Sequence, residues 1–191
     1  AVTVYLLAAM VWPTLRVWRR HGVWPVVFHR RAAPAQRLLG ALFALVLTAV
    51  PAALWRLALM GREGMGIWPV PGGLVAAGWL GLLAGTAMTL AAQRQMGASW
   101  RIGIDDRPTM LVTGGIFRFS RNPIFLGLGV FLAGVACLAP AWWSIAGVLA
   151  ALAAIRLQVI WEERHLMHLH GQPYQDYAAR TGRFVPGLGR L

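Results

Sequence analysis

The chain has 191 residues, 58% of them hydrophobic, with a mean hydropathy of +0.59 and a formal net charge of +12. That apolar share exceeds the roughly 45–50% of soluble domains, and several apolar runs approach the about 20 residues that cross a bilayer. All 18 basic residues are arginine. With long apolar runs between the arginines, this charge points to anionic lipid headgroups and excludes nucleic acid as the expected partner. Cys137, the only cysteine, lies in an apolar run, can form no internal disulfide and is expected to pack.

These features predict an all-α integral membrane protein with about five transmembrane helices. The first span is expected over about 1–15, with Pro13 near its end. The chain opens inside this span without an initiator Met, implying a few missing residues. No cleavage pattern marks the span as a removed signal. A basic stretch follows at 16–37. The second span covers about 38–60 and is interrupted by Pro51. A glycine- and proline-rich link at 61–73 leads to the third span, about 74–92, whose glycines and alanines permit close helix approach. The polar segment 93–123 is the longest non-membrane region. A short span at 124–138, the reversal Ala139-Pro140, and a last helix from near Ala141 to about His170 form a C-terminal hairpin, followed by a polar tail. The chain thus divides into 1–92, three spans with a basic loop, and 93–191, which carries the chemistry. Arginine-rich segments alternate with weakly charged links, so the positive-inside rule places the N-terminus outside and the C-terminus in the cytoplasm. Trp18 and Trp24, and Trp142 and Trp143, suit the aromatic belts at the two interfaces. A bacterial inner membrane is the expected location.

Residues 113–127 are the stretch richest in groups that hold a small ligand: Thr-Gly-Gly-Ile-Phe-Arg-Phe-Ser-Arg-Asn-Pro-Ile-Phe-Leu-Gly. Just upstream, Thr109 to Thr113 is a short β-like run offering backbone donors and acceptors. Gly114-Gly115 supplies positive φ for a turn. Asn122 is expected to cap a helix beginning at Pro123. The plainer alternative is a capped helix start under an interfacial loop whose arginines touch lipid phosphates.

The second constellation is Trp161-Glu162-Glu163-Arg164-His165. Residues three and four apart share a helix face, so Gln158, Glu162 and His165 form one strip, with Arg156 and Glu163 on another. Glu162 suits hydrogen bonds from a ribose or amino group; the alternative is an acid paired with Arg164 or a loop arginine. Glu162-x-x-His165 is half of a di-iron motif, but the other half is missing. His168 and His170 add only poor ligand spacing, so no metal is expected.

The order Leu-Val-Thr-Gly-Gly-Ile-Phe-Arg-Phe-Ser-Arg-Asn-Pro-Ile-Phe-Leu-Gly, then an apolar hairpin, then Glu-Glu-Arg-His-Leu…His-Gly-Gln-Pro-Tyr-Gln-Asp-Tyr…Arg-Phe-Val-Pro, resembles the isoprenylcysteine carboxyl methyltransferase and phospholipid methyltransferase superfamily, above all its short bacterial members. The resemblance spans about 93–187. It implies S-adenosylmethionine as cofactor, in a cytoplasm-facing pocket closed by the loop and the last helix. Its contacts would fall on Thr109, Met110, Leu111, Val112, Phe117, Asn122, Pro123, Ile124, Phe125 and Glu162. Members of the family commonly carry His where Asn122 stands and Tyr where Phe117 and Phe125 stand, which removes a titrating group at 122. Prenylcysteine-specific members have an arginine where Gln158 stands. A carboxylate substrate would then depend on Arg118 or Arg121, with Gln158 and Arg156 as further acceptor-side candidates. The implied reaction is methyl transfer to a lipophilic or amphipathic acceptor entering from the bilayer, with His165 or Glu163 as the nearby base. Two other readings stay open: a non-catalytic membrane protein binding lipid or a partner, and an NADPH-dependent enzyme of the sterol-reductase type. The latter lacks a Gly-x-Gly-x-x-Gly after a strand.

Overall fold

Pro13 decides how the first helix begins. Proline has no N–H, so the carbonyl four residues earlier, that of Ala9, loses its helical donor. In the computed structural model, which describes residues 5, 7–22, 24–25, 41, 48–49, 52–53, 55–100 and 110–190, a π-helical turn over Leu7–Val11 leads into α1 (Trp12–His21). The orphaned Ala9 carbonyl accepts a hydrogen bond from Gln93 Nε2 at 2.6 Å. The substitute donor thereby ties the N-terminal helix to the third expected span. Gly22, at φ 64°, ends α1 by returning its N–H to the Trp18 carbonyl.

The other α-helices are α2 (Gly72–Met96), α3 (Pro123–Leu138), α4 (Trp142–His170) and α5 (Gln172–Arg180), with 3₁₀ turns at Gly97–Ser99 and Gly115–Arg118 between α2 and α3. Residues 55–64 are also helical and belong to the expected second span, most of which lies outside the described residues. α2 and α4 are long and apolar enough to cross a bilayer, and α3 is a shorter apolar helix. Their exposed large side chains, among them Leu80, Leu83, Leu149 and Leu157, are apolar, as a lipid-facing surface requires. At about 1.5 Å per residue, the 29 residues of α4 reach about 44 Å, beyond the roughly 30 Å hydrocarbon layer.

Three expectations are corrected. The helix before the first link persists to residue 64. The β-like run is irregular over 110–113, with no strand among the described residues to pair it. The polar tail contains α5, entered through Gly171 at φ 57° and Pro173 in its first turn.

Helices α2 and α3 meet along a glycine seam. A Cβ placed on Gly85 would stand 2.5 Å from the Gly127 carbonyl oxygen and 2.6 Å from the Phe131 nitrogen. One placed on Gly134 would stand 2.7 Å from the Gly78 carbonyl oxygen. Such contact exists only because these positions lack side chains, and dispersion between close backbones replaces the hydrophobic drive that lipid cannot supply. Tyr5 stacks on Phe131 with ring centroids 3.9 Å apart, and its hydroxyl lies 3.3 Å from Thr89 Oγ1.

One end of the bundle gathers the weakly charged links. Trp68 donates its backbone N–H to the Pro140 carbonyl, Trp143 Nε1 to the Met65 carbonyl, both at 2.9 Å, and Trp68 meets Trp142 edge to face. At the other end of α2 the described arginines Arg16, Arg20 and Arg94 come together. Gly85→Ala is expected to lower stability by about 1–3 kcal/mol through overpacking. Gly147→Ala, with nothing within 4 Å, is expected to be neutral or to gain up to about 1 kcal/mol of helix propensity. Thermal unfolding in detergent compares the two.

Candidate functional site

The loop ahead of α3 and the far end of α4 are joined through one carboxylate. Glu163 is buried, its side chain 5% exposed, on a helix that has just left the apolar layer. A charge there is stable only if it is matched. Its Oε1 accepts from Arg121 Nε at 3.1 Å, Arg121 Nη2 at 3.0 Å and Asn122 Nδ2 at 3.0 Å. Its Oε2 accepts from Arg183 Nε at 2.9 Å and pairs with Arg183 Nη2 at 2.8 Å.

Arg121 is equally engaged. Beyond Glu163 it donates through Nη1 to the carbonyls of Ala178 and Thr181, at 2.8 and 2.7 Å, and through Nη2 to Gly189 at 2.9 Å. All five guanidinium N–H groups are thus used. Its backbone N–H reaches the Gly182 carbonyl at 3.0 Å. Asn122 adds a second bond from Nδ2 to the Arg183 carbonyl at 3.1 Å. Three separate segments, 120–122, 163 and 178–189, are tied into one polar knot.

Beside the knot lies an apolar cluster. Phe117, Tyr174, Tyr177, Ala92 and Ala178 are buried in it, with Leu111, Val112, Ile116, Ile124, Leu166 and Met167 packed around. Tyr177 donates its hydroxyl to the Phe117 carbonyl at 2.6 Å. Tyr174 is 1% exposed, and its hydroxyl has no hydrogen-bond partner among the described residues. Burial raises both phenol pKa values well above the ordinary range. For Tyr174 the negative Glu163 adds to this and Arg121 opposes it; for Tyr177 Arg121 opposes and Glu163 adds. Both tyrosines therefore stay protonated donors.

The residues expected at the site divide clearly. Leu111, Val112, Phe117 and Ile124 converge on the cluster, and Pro123 is buried as the first residue of α3. Phe125 is half-buried, Met110 is 82% exposed, and Thr109 lies outside the described residues. Glu162 is half-buried, with the Gln158 side chain hydrogen-bonded to it one turn back. His165 is half-buried and has its own interaction. Arg156 is exposed, and Arg118 is exposed with its guanidinium 4.5 Å from the Phe119 ring centroid.

Three of the expected residues are engaged in the knot. Both oxygens of Glu163, expected as a base, already accept donors. Arg121, expected on the acceptor side, directs all its guanidinium donors into the knot. Asn122 holds the cap position but makes no side-chain cap bond; its Nδ2 donates instead to Glu163 and to the Arg183 carbonyl. Arg183 and Tyr174 were absent from the expected set. The one signal for them was the Tyr…Arg-Phe-Val-Pro order in the tail, which shows neither burial nor partners. Among the described residues no group of acids, histidines or cysteine is placed to hold a metal.

A family model described as phospholipid methyltransferase matches residues 74–173, from the start of α2 to the first turn of α5, just over half the chain. The chain belongs to the phospholipid methyltransferase family. No curated protein matches it by sequence. Among solved structures it is similar to a eukaryotic intramembrane Ras methyltransferase, an isoprenylcysteine carboxyl methyltransferase, with a TM-score of 0.64 and 14% identity over 97% of this chain. The match spans 66% of that protein's length, just under two thirds. At this identity the likeness is one of fold, and it agrees with the family assignment.

Glu163→Ala would leave Arg121 buried without its counter-charge and is expected to destabilise the protein by about 3–5 kcal/mol. Glu162→Ala is expected to stay within about 1 kcal/mol, as a partly exposed acid contributes little. Thermal unfolding of the two variants in one detergent separates the roles of these neighbours.

Proposed function

We propose that this protein is an S-adenosylmethionine-dependent methyltransferase acting on a lipophilic or amphipathic acceptor at the membrane. The observation that carries this reading is the juncture of loop and helix: Asn122, at the start of α3, bonds directly to Glu163, on α4, at 3.0 Å. The two segments that the family resemblance assigns to one pocket are thus adjacent. By the positive-inside rule this end faces the cytoplasm, where a soluble cofactor is available.

The chain's own groups fit such a cofactor. Leu111, Val112, Ile124 and Phe125 offer apolar surface to an adenine. The Tyr174 hydroxyl, without a partner among the described residues, offers a donor where a buried polar group needs one. Glu162, held from one side by Gln158, keeps acceptor capacity for a ribose or amino group. Phe125 and Trp161, both half-buried, present aromatic faces that favour a cation. When bound, the cofactor supplies an electrophilic methyl on a sulfonium. The protein's task is alignment and exclusion of water, which account for several kcal/mol in such displacements. The polar knot performs the first by fixing loop, helix and tail. With Glu163 committed to the knot, His165, three residues beyond Glu162, is the group assigned to take a proton from an amine or thiol acceptor.

Calorimetry in detergent tests the cofactor. S-adenosylhomocysteine is expected to bind, and Glu162→Ala to weaken it by about tenfold or more, about 1.4 kcal/mol per decade, without lowering the unfolding temperature. Radiolabelled methyl transfer from S-adenosylmethionine into membrane lipid extract then identifies the acceptor. Binding of NADPH in place of S-adenosylhomocysteine would sink this reading.

A further inference from the structure

At the arginine-rich end lies a cavity of about 300 Å³ lined by Arg16, Val17, Arg20, Arg94 and Gly97. Its size sits at the lower bound of small-molecule sites, about 300–1,000 Å³. Its walls come from two helices. Arg16 and Arg20 are four apart and share one face of α1; Arg94 is in the last turn of α2, and Gly97, at φ 52°, turns the chain away beneath it. The ion pairs among the described residues are those of Glu163 with Arg121 and Arg183, so none of these three arginines is paired with a described acid. Three like charges around one cavity oppose one another, and an i, i+4 pair of the same sign is unfavourable on a helix. Such an arrangement is stabilised by an anion between them.

The position of the cavity narrows the anion's chemistry. Trp18, between Arg16 and Arg20 in sequence, meets Trp24 edge to face at 6.3 Å, and both are exposed. Exposed tryptophans beside arginines mark the headgroup level of a bilayer. A guanidinium matches two phosphate oxygens with two parallel N–H donors. We propose that Arg16, Arg20 and Arg94 form a binding site for a phosphate ester, at the depth where phospholipid phosphates lie. This site is distinct from the Glu163 knot and does not depend on the methyl-transfer reading.

Native mass spectrometry of the detergent-solubilised protein tests it, with phosphatidylglycerol and phosphatidylcholine as probes. Arg16→Gln/Arg94→Gln is expected to reduce retained phosphatidylglycerol by about tenfold or more, from the loss of two charge-assisted contacts. Arg19→Gln removes a charge from the same helix outside the cavity and is expected to change retention less than about twofold. Arg16→Lys/Arg94→Lys, which keeps charge but not the fork, is expected to fall between them. Unchanged unfolding temperatures confirm that the variants fold. Competition with glycerol 3-phosphate and inorganic phosphate assigns the source. No displacement at millimolar concentration makes the ligand a lipid headgroup; displacement makes it a soluble phosphate ester, and both support the site. Equal losses in the Arg16/Arg94 and Arg19 variants, or no loss in either, overturn it.

Discussion

Removing a glutamate from water at the end of an apolar helix is unfavourable unless its charge is met, and around Glu163 five nitrogen contacts from three residues meet it. Two of those donors sit in the loop before α3 and one in the tail after α5. Satisfying a single carboxylate therefore decides where two irregular segments lie. Arg121 extends the same logic, because its own burial is tolerable only with the carbonyls of Ala178, Thr181 and Gly189 turned toward it. The tail is held by what the arginine and glutamate need rather than by its own propensity.

The other constraint is the glycine seam. Gly85 against Gly127 and Gly134 against Gly78 let α2 and α3 pack at backbone distance. This brings Ala92, near the end of α2, into the cluster with Phe117 and Tyr174. One turn of the same helix then serves several purposes. Ala92 faces the aromatic cluster, Gln93 completes the Pro13-disrupted helix through the Ala9 carbonyl, and Arg94 lines the cavity shared with α1. Gln95 accepts the Ile116 N–H at 2.9 Å and steadies the loop turn. Chemistry collects at this end because the opposite end is closed by tryptophans and short links.

Much of this was legible before the structure. Runs of apolar residues mark α2, α3 and α4 within a few positions, because a bilayer demands length and continuity of a helix. Asn122-Pro123 marks the start of α3, because proline suits a first turn. The paired glutamates stood out because charge is scarce near apolar runs. Which of them turns inward did not, since adjacent residues differ by about 100° around a helix and that angle carries no sequence signal. Helix α5 escaped notice because nine mixed residues with only Tyr174, Tyr177 and Ala178 buried resemble an exposed tail.

Sequence alone pointed to the class: high apolar content and long apolar runs between arginines mark a membrane protein. Its ordered motifs were enough to point to a methyltransferase family. Only the tertiary structure decided that Glu163 is the acid buried in the knot and that Glu162 stays half-buried beside it. Likewise only the fold brought Arg94 to Arg16 and Arg20, more than seventy positions apart in the chain. The physical reason is common to both. Hydropathy and turn chemistry act on neighbours along the chain, whereas neutralising a buried charge depends on which distant groups the packed helices bring within hydrogen-bond reach.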